Sequence, residues 1–375
     1  MALSQRFLAL DVFRGMTVCF MIIVNTPGSG STTFSPLHHA SWHGFTPTDL
    51  VFPSFLFAVG NAMIFATRKW ATMTQSQVLW KIFKRTFIIF LLGYLMYWFP
   101  FVEYNQAGGF SMRPFEKTRV FGVLQRIALC YGFAALMVYY LKPRMILSIS
   151  AALLILYWAV MIWFGESADP LGLNTNAGVK LDRFLLGENH LYHGEKGVAF
   201  DPEGLLSTIP AIVNVVGGYF AGKYILEKGK TYETLSKLLL AGAALLAIAY
   251  CWNLVFPINK KLWTSSFVLL TVGLDCMILA SIIYIVDFVK KTRWTAFFQV
   301  FGKNPLFIYL LSEIIAILLY FFQLEGNISV YNWIFRTFFL PFGGYAGSLV
   351  FAISVMLTCW LVGWWMDRNK IYIRV

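Results

Sequence analysis

Apolar runs recur along the whole chain, each close to the 20 residues that a hydrocarbon core roughly 30 Å thick requires. They fall at about residues 8–26, 47–67, 83–100, 120–141, 145–164, 205–226, 235–256, 263–287, 297–323 and 345–366, with polar residues gathered in the short stretches between them. The short alternating segments of a membrane β-barrel are absent. The pattern predicts an all-α polytopic membrane protein, a bundle of about ten transmembrane helices. No second soluble domain, internal repeat or low-complexity tract interrupts it, so residues 1–375 read as a single transmembrane domain. One long connection, at about 165–204, is mixed in charge and rich in Gly and Asn. A connection of this length is uncommon without a purpose; it is expected to be a cap or substrate-facing wall, or else a linker.

Composition agrees: 58% of residues are hydrophobic and 13% charged, against roughly half and a quarter in soluble domains. A net charge of +12 fits a nucleic-acid partner in principle, but the distribution argues against one. Of the 30 Lys and Arg residues, 19 lie in the N-terminus, the even-numbered loops and the C-terminus. Nine lie on the opposite side, and two, Arg14 and Arg126, lie inside spans. The positive-inside rule then puts both termini in the cytoplasm and the 165–204 loop on the other side. The opening "MALSQRFLALDVFRGM" carries Asp11 and Arg14 within its apolar run, unlike a cleavable signal, and reads as a retained first helix. The chain is therefore expected to be a multi-pass protein of the inner (plasma) membrane, with lipid as its surroundings. Its five cysteines are scattered one per apolar segment without metal-finger spacing, as small buried hydrophobes would be.

Chemistry concentrates in "HHASWHGFTPTDLVFPSF", where His38, His39 and His43, three of five histidines, precede a span. Thr46-Pro47-Thr48-Asp49 has the grammar of a helix start, with a Thr N-cap, Pro at the first position and an acid at the third. Asp49 is thus either a helix cap or part of a site. HHxxxH is poor metal-ligand spacing, and no metal is expected. An imidazole with an unperturbed pKa near 6.5 suits general-base work near neutrality.

Charges inside spans are costly and face protein or a watery cavity. Arg14 has Asp11 one turn away as a local partner. Gln125 and Arg126 lie a turn or two into the fourth span, where lining a cavity is favoured over snorkelling. Asp275 and Glu313 are expected either to pair with Arg126 or to line a pathway, and Asn25 closes the first span in "VNTPGSGS", where Asn-Thr-Pro-Gly can stop a helix. In "FGKNPL", Lys303 and Asn304 open the ninth span among basic loops. That is either a phosphate seat at a helix N-terminus or ordinary positive-inside charge.

Several stretches together, "LDVFRGMTVCFMIIVN", "HHASWHGFTPTDLVFPSFLFAVG", "RVFGVLQRIALCY", "FDPEGLLSTIP", "PINKKLWTSSFV" and "GKNPLFIYLLSE", resemble the heparan-α-glucosaminide N-acetyltransferase family, which includes shorter bacterial relatives linked to N-acetylglucosamine use. The motifs run in the family's order over nearly the whole chain, and the H-A-S-W block is the most specific. The resemblance implies acetyl transfer across a membrane, from cytosolic acetyl-CoA to an amino sugar on the far side, and association as homodimers. It implies that His39 is catalytic, that Asn25 and Asp49 lie near the active centre, and that Arg14, Arg119, Gln125 and Arg126 match polar positions of the family. His43 and "NTPGSG" depart from the family's human member on the acceptor side. On this reading His39 takes the amine proton, Asp49 orients its ring, and Asn25 or a neighbour stabilises the oxyanion. Gln125, Arg126, Arg14, Lys303 and Asn304 bind the coenzyme. Direct transfer and an acetyl-His39 intermediate both fit. The alternative from another class is a permease for N-acetylglucosamine or related sugars, in which the same polar residues line a path without chemistry.

Overall fold

The computed structural model describes residues 7–104, 109–194, 197–324 and 326–373. Its helices are α1 (Leu8–Asn25), α2 (Pro47–Trp70), α3 (Gln75–Trp98), α4 (Val123–Tyr140), α5 (Pro143–Phe164), α6 (Ala177–Leu186) and α7 (Leu205–Lys228), followed by α8 (Tyr232–Asn253), α9 (Ser265–Ile283), α10 (Thr295–Lys303), α11 (Pro305–Phe321), α12 (Val330–Ile334) and α13 (Gly344–Arg368). Two short antiparallel strand pairs, Val102–Tyr104 with Phe110–Met112 and Gln323–Leu324 with Ile328–Ser329, are the sheet structure among the described residues. The fold is all-α and polytopic.

Among the described residues eight helices are long and apolar enough to cross a membrane, and a ninth span is possible if α10 and α11 count as one. Two expected spans come out differently. The third, expected at 83–100, belongs to α3, which starts at Gln75 and takes in Lys81, Lys84 and Arg85. The charge-free remainder from residue 86 to 98 is only about 20 Å long at 1.5 Å per residue. Trp80, Phe83, Phe87, Leu91 and Leu95 nevertheless form an exposed apolar stripe down one face of α3. The ninth is broken: α10 and α11 meet at an angle of 84°. Pro305 cannot supply a backbone N–H and disfavours helical geometry in the residue before it. Asn304 accordingly leaves the helix, at φ −132° and ψ 52°.

The chain forms two compact units. The first comprises residues 7–39, 46–55 and 278–373. Here α1 packs on α10, α11 and α13. The α1–α10 contact is backbone on backbone, because a Cβ at Gly15 would strike the Phe298 carbonyl and one at Gly302 the Asp11 carbonyl. Small residues let membrane helices approach this closely.

The second unit comprises residues 40–45 and 56–277. Its centre is α7, which contacts α4, α5, α6 and α8; α3 packs along α4. Gly60 and Gly218 bring the later turns of α2 against α7. The long connection is a folded structure here. Asn176 caps α6 by accepting the Val179 N–H at 2.9 Å. Leu171, Ala177, Val179 and Phe200 are buried with Tyr157 and Met161 of α5 and with Phe256 and Leu262. By contrast α5 and α8 leave most of their apolar surface exposed, as helices facing hydrocarbon do.

Candidate functional site

In the first unit the histidine cluster resolves into separate roles. His39 Nδ1 lies 2.6 Å from Asp49 Oδ1. The carboxylate is 1% exposed and the imidazole 42% exposed, so a buried anion holds a ring that reaches solvent. The other carboxylate oxygen, Oδ2, accepts from the Thr46 backbone N–H at 2.9 Å, with the Thr46 hydroxyl oxygen 3.1 Å away. This is the acid half of a capping box, with Pro47 at the first helical position. Asp49 therefore caps α2 through one oxygen and holds the His39 ring through the other. Capping fixes the carboxylate, and the carboxylate fixes the ring. With Nδ1–H donated to Asp49, Nε2 is the nitrogen that accepts a proton.

The approach to this pair is braced locally. His38 Nε2 lies 3.0 Å from the Thr33 carbonyl, and the hydroxyls of Thr46 and Thr48 donate to the carbonyls of His38 and Pro36. Asn25, the last residue of α1 and exposed, donates through Nδ2 to Glu313 of α11 at 3.2 Å. Sequence reasoning had offered Arg126 as a partner of Glu313. The Asn25 contact joins residues 288 positions apart, and no local spacing announces it.

At the α10–α11 break the coenzyme candidates are engaged. Lys303 pairs with both oxygens of Asp367, at 2.6 and 2.5 Å. Asn304 donates to the Ile371 carbonyl and accepts the Ile373 N–H, both at 2.9 Å. Together they fasten the chain after α13 to the break. Arg14 pairs with Asp11 at 2.9 Å and also donates to the Gly302 carbonyl at the end of α10.

The second unit holds a different arrangement. Arg119 forms a bidentate pair with Asp201, at 2.8 and 2.6 Å, and reaches Glu203 at 2.7 Å and the Tyr97 hydroxyl at 3.2 Å. Its guanidinium lies over the rings of Tyr97 and Tyr192. Lys260 stands 3.8 Å from Glu203. Burial works to raise the Glu203 carboxyl, but Lys260, Arg119 and Arg126 outweigh it and hold it at about 2. Asp182 has only a weak pull from Arg126, opposed by Asp201. Burial lifts its carboxyl to about 7 although it accepts the Leu205 N–H at the start of α7.

Arg126 is fully buried in α4. It donates to the Gly204 carbonyl at 3.2 Å and to Ser207, and its guanidinium lies over the Trp263 ring. These contacts, and not Asp275, are its partners. Its Nε and Nη1 have no protein partner, and neither does the amide of the equally buried Gln125. His43 lies in this unit, with Nδ1 3.3 Å from the Asn259 amide. Burial lowers its pKa against the opposing pull of Asp169. The carboxylate partners of Arg119 lie in "FDPEG", a motif with no obvious spacing rule to assign it.

The class defined by this geometry is a polytopic helical membrane protein with a solvent-reaching histidine held by a buried carboxylate. Residues 6–185 match a family model described as heparan-alpha-glucosaminide N-acetyltransferase, catalytic. This range includes His39, Asp49, Asn25, Arg14, Arg119, Gln125 and Arg126, while Lys303, Asn304 and Glu313 lie beyond it. The human heparan-alpha-glucosaminide N-acetyltransferase is 29% identical, over 84% of this chain and 53% of that protein. The mouse protein of the same name is 28% identical, over 83% and 54%. The chain spans about half the length of the curated relatives it matches. Over these residues the chain is similar to the heparan-alpha-glucosaminide N-acetyltransferase family.

Proposed function

We propose that this chain carries an acetyl group across the membrane, from acetyl-CoA on the cytoplasmic side to the amine of a glucosamine-type sugar on the other, with His39 as general base. The observation that carries this reading is the 2.6 Å pair of His39 with buried Asp49 inside the family-matching region. Further support comes from the relatives, which are N-acetyltransferases by name.

Acetyl-CoA supplies the activated thioester. A polar guest needs donors that the fold has left unspent, and the free Nε and Nη1 of Arg126 and the amide of Gln125 meet that requirement. Lys303 and Asn304 fit less readily, since Lys303 must give up Asp367 and Asn304 the chain after α13. Arg14 is likewise committed to Asp11 and Gly302.

His39 holds its Nδ1 proton on Asp49, and Nε2 takes a proton from the acceptor amine as the nitrogen attacks the thioester carbon. Asp49 then stabilises the imidazolium, as the acid of a hydrolase triad does. Asn25 spends one of its two amide hydrogens on Glu313 and has a second to offer the developing oxyanion. The carbon–nitrogen bond forms as the carbon–sulfur bond breaks, and His39 returns its proton to the departing thiolate. On the ten-span reading the 19-to-nine bias of Lys and Arg supports a cytoplasmic face for the donor side.

Sealed proteoliposomes test this, with acetyl-CoA on one side and glucosamine on the other. The expected result is N-acetylated sugar on the acceptor side and free thiol on the donor side. Sugar that crosses unmodified with no thiol released would instead establish the permease.

A further inference from the structure

A pocket of about 270 Å³ lies within the first unit, between α1, residues 36–37 and the first two turns of α2. Leu37 stands two residues before His39, and Pro47, Thr48 and Leu50 surround Asp49 in the first turn of α2. The pocket thus shares its walls with the segments that carry the proposed base and its carboxylate. Its deeper lining is Phe13, Met16, Phe20, Val24 and Val51, and no charged side chain lines it. Phe20 is 45% exposed, so one wall is open at the surface of a membrane-spanning helix.

The chemistry of this lining selects its guest. Of its three hydroxyls, Thr17 and Thr48 already donate to the Arg14 and Pro36 carbonyls, at 2.7 and 3.0 Å. Pro36 and Pro47 have no N–H to offer. The carbonyls of a guest with amides, such as the pantetheine arm of the donor, would find few donors here, since the Thr17 and Thr48 protons are already given, which is unfavourable. A hydrocarbon chain has nothing to satisfy.

Resting on the acetyl-transfer reading above, we propose that this pocket seats the alkyl chain of the acceptor, so that the amine acetylated belongs to a lipid-borne amino sugar. Bilayer hydrocarbon is as apolar as the pocket, so the seat adds little driving force of its own. It places the head group, bringing the amine to His39 from a molecule that arrives by lateral diffusion.

The test compares octyl and methyl glycosides of glucosamine as acceptors for the purified full chain in proteoliposomes. The wild type should favour the octyl compound in kcat/KM by about tenfold. Val51→Trp, which fills the pocket, should bring that ratio close to one while leaving the methyl glycoside within about twofold of wild type. Phe20→Ala lengthens the pocket without filling it and should shift the preferred chain upward by about two carbons. Equal use of both glycosides by the wild type overturns the proposal. So does an unchanged ratio in Val51→Trp, which would mark the pocket as a seat for ordinary membrane lipid, and so does an equal loss on both acceptors. Failure to acetylate either glycoside, by contrast, removes the acetyl-transfer reading itself and the pocket assignment with it.

Discussion

The His39–Asp49 pair in the first unit and the Arg119 network in the second both join charged groups, yet they are built on opposite terms. His39 has one strong carboxylate partner and nearly half its side chain exposed. Arg119 has two carboxylates, a phenol and two aromatic faces, with Lys260 balancing Glu203 behind it. An arrangement that spends four of five guanidinium N–H groups on fixed partners holds the loop before α7 to the segment before α4. A ring held by a buried carboxylate and 42% exposed can meet a solvent-borne reactant. Charge alone does not mark a reactive centre; a well-held group that also reaches solvent does.

Substitutions sharpen this contrast. Asp49→Asn should have the largest effect on rate. The amide can still accept the Thr46 N–H, but it turns its own N–H toward Nδ1 and leaves the proton on Nε2. A loss of about 10³–10⁴ in kcat follows by analogy with triad enzymes, with the melting temperature nearly unchanged. Arg119→Met should do the reverse. It strands buried Asp201 and leaves Glu203 to Lys260, at a cost of about 3–5 kcal/mol, read as a fall in thermal stability in detergent before any specific loss of chemistry.

Lys303→Met should cost about 1 kcal/mol, since its partly exposed pair with Asp367 is all it loses. If Lys303 instead leaves Asp367 to hold a donor phosphate, the KM for acetyl-CoA rises about tenfold or more while stability barely moves. The smallest effect is expected from Asp182. Its carboxyl sits at about 7, so between its ordinary value and pH 7 the folded protein retains a proton that the unfolded chain has released. Its contribution to stability is complete below about pH 4 and declines as pH rises through 7. Asp182→Asn should flatten the pH dependence of the melting temperature over that interval.

How much of this the sequence disclosed follows from the range of each interaction. The spans were legible because apolar length is a local property. The break at Asn304 was hidden by apolar residues on both sides of it, and α3 starts earlier than the apolar run alone suggests because its helix takes in three basic residues. The start of α2 could be read from Thr46, Pro47 and Asp49, which lie within four positions. The pairing of Asp49 with His39, ten residues away, rested on family resemblance and is present in the fold. Nothing local links Arg119 to Asp201 across 82 positions or Lys303 to Asp367 across 64. Those contacts required the packed helices.

The most direct measurement is release of free thiol from acetyl-CoA on addition of an amino-sugar acceptor, with wild type and His39→Ala purified side by side. The predicted result is a loss of about 10³ or more in kcat, with a melting temperature close to that of wild type. An alanine variant that folds equally well and still releases thiol at the wild-type rate would contradict the assignment of His39 as the base.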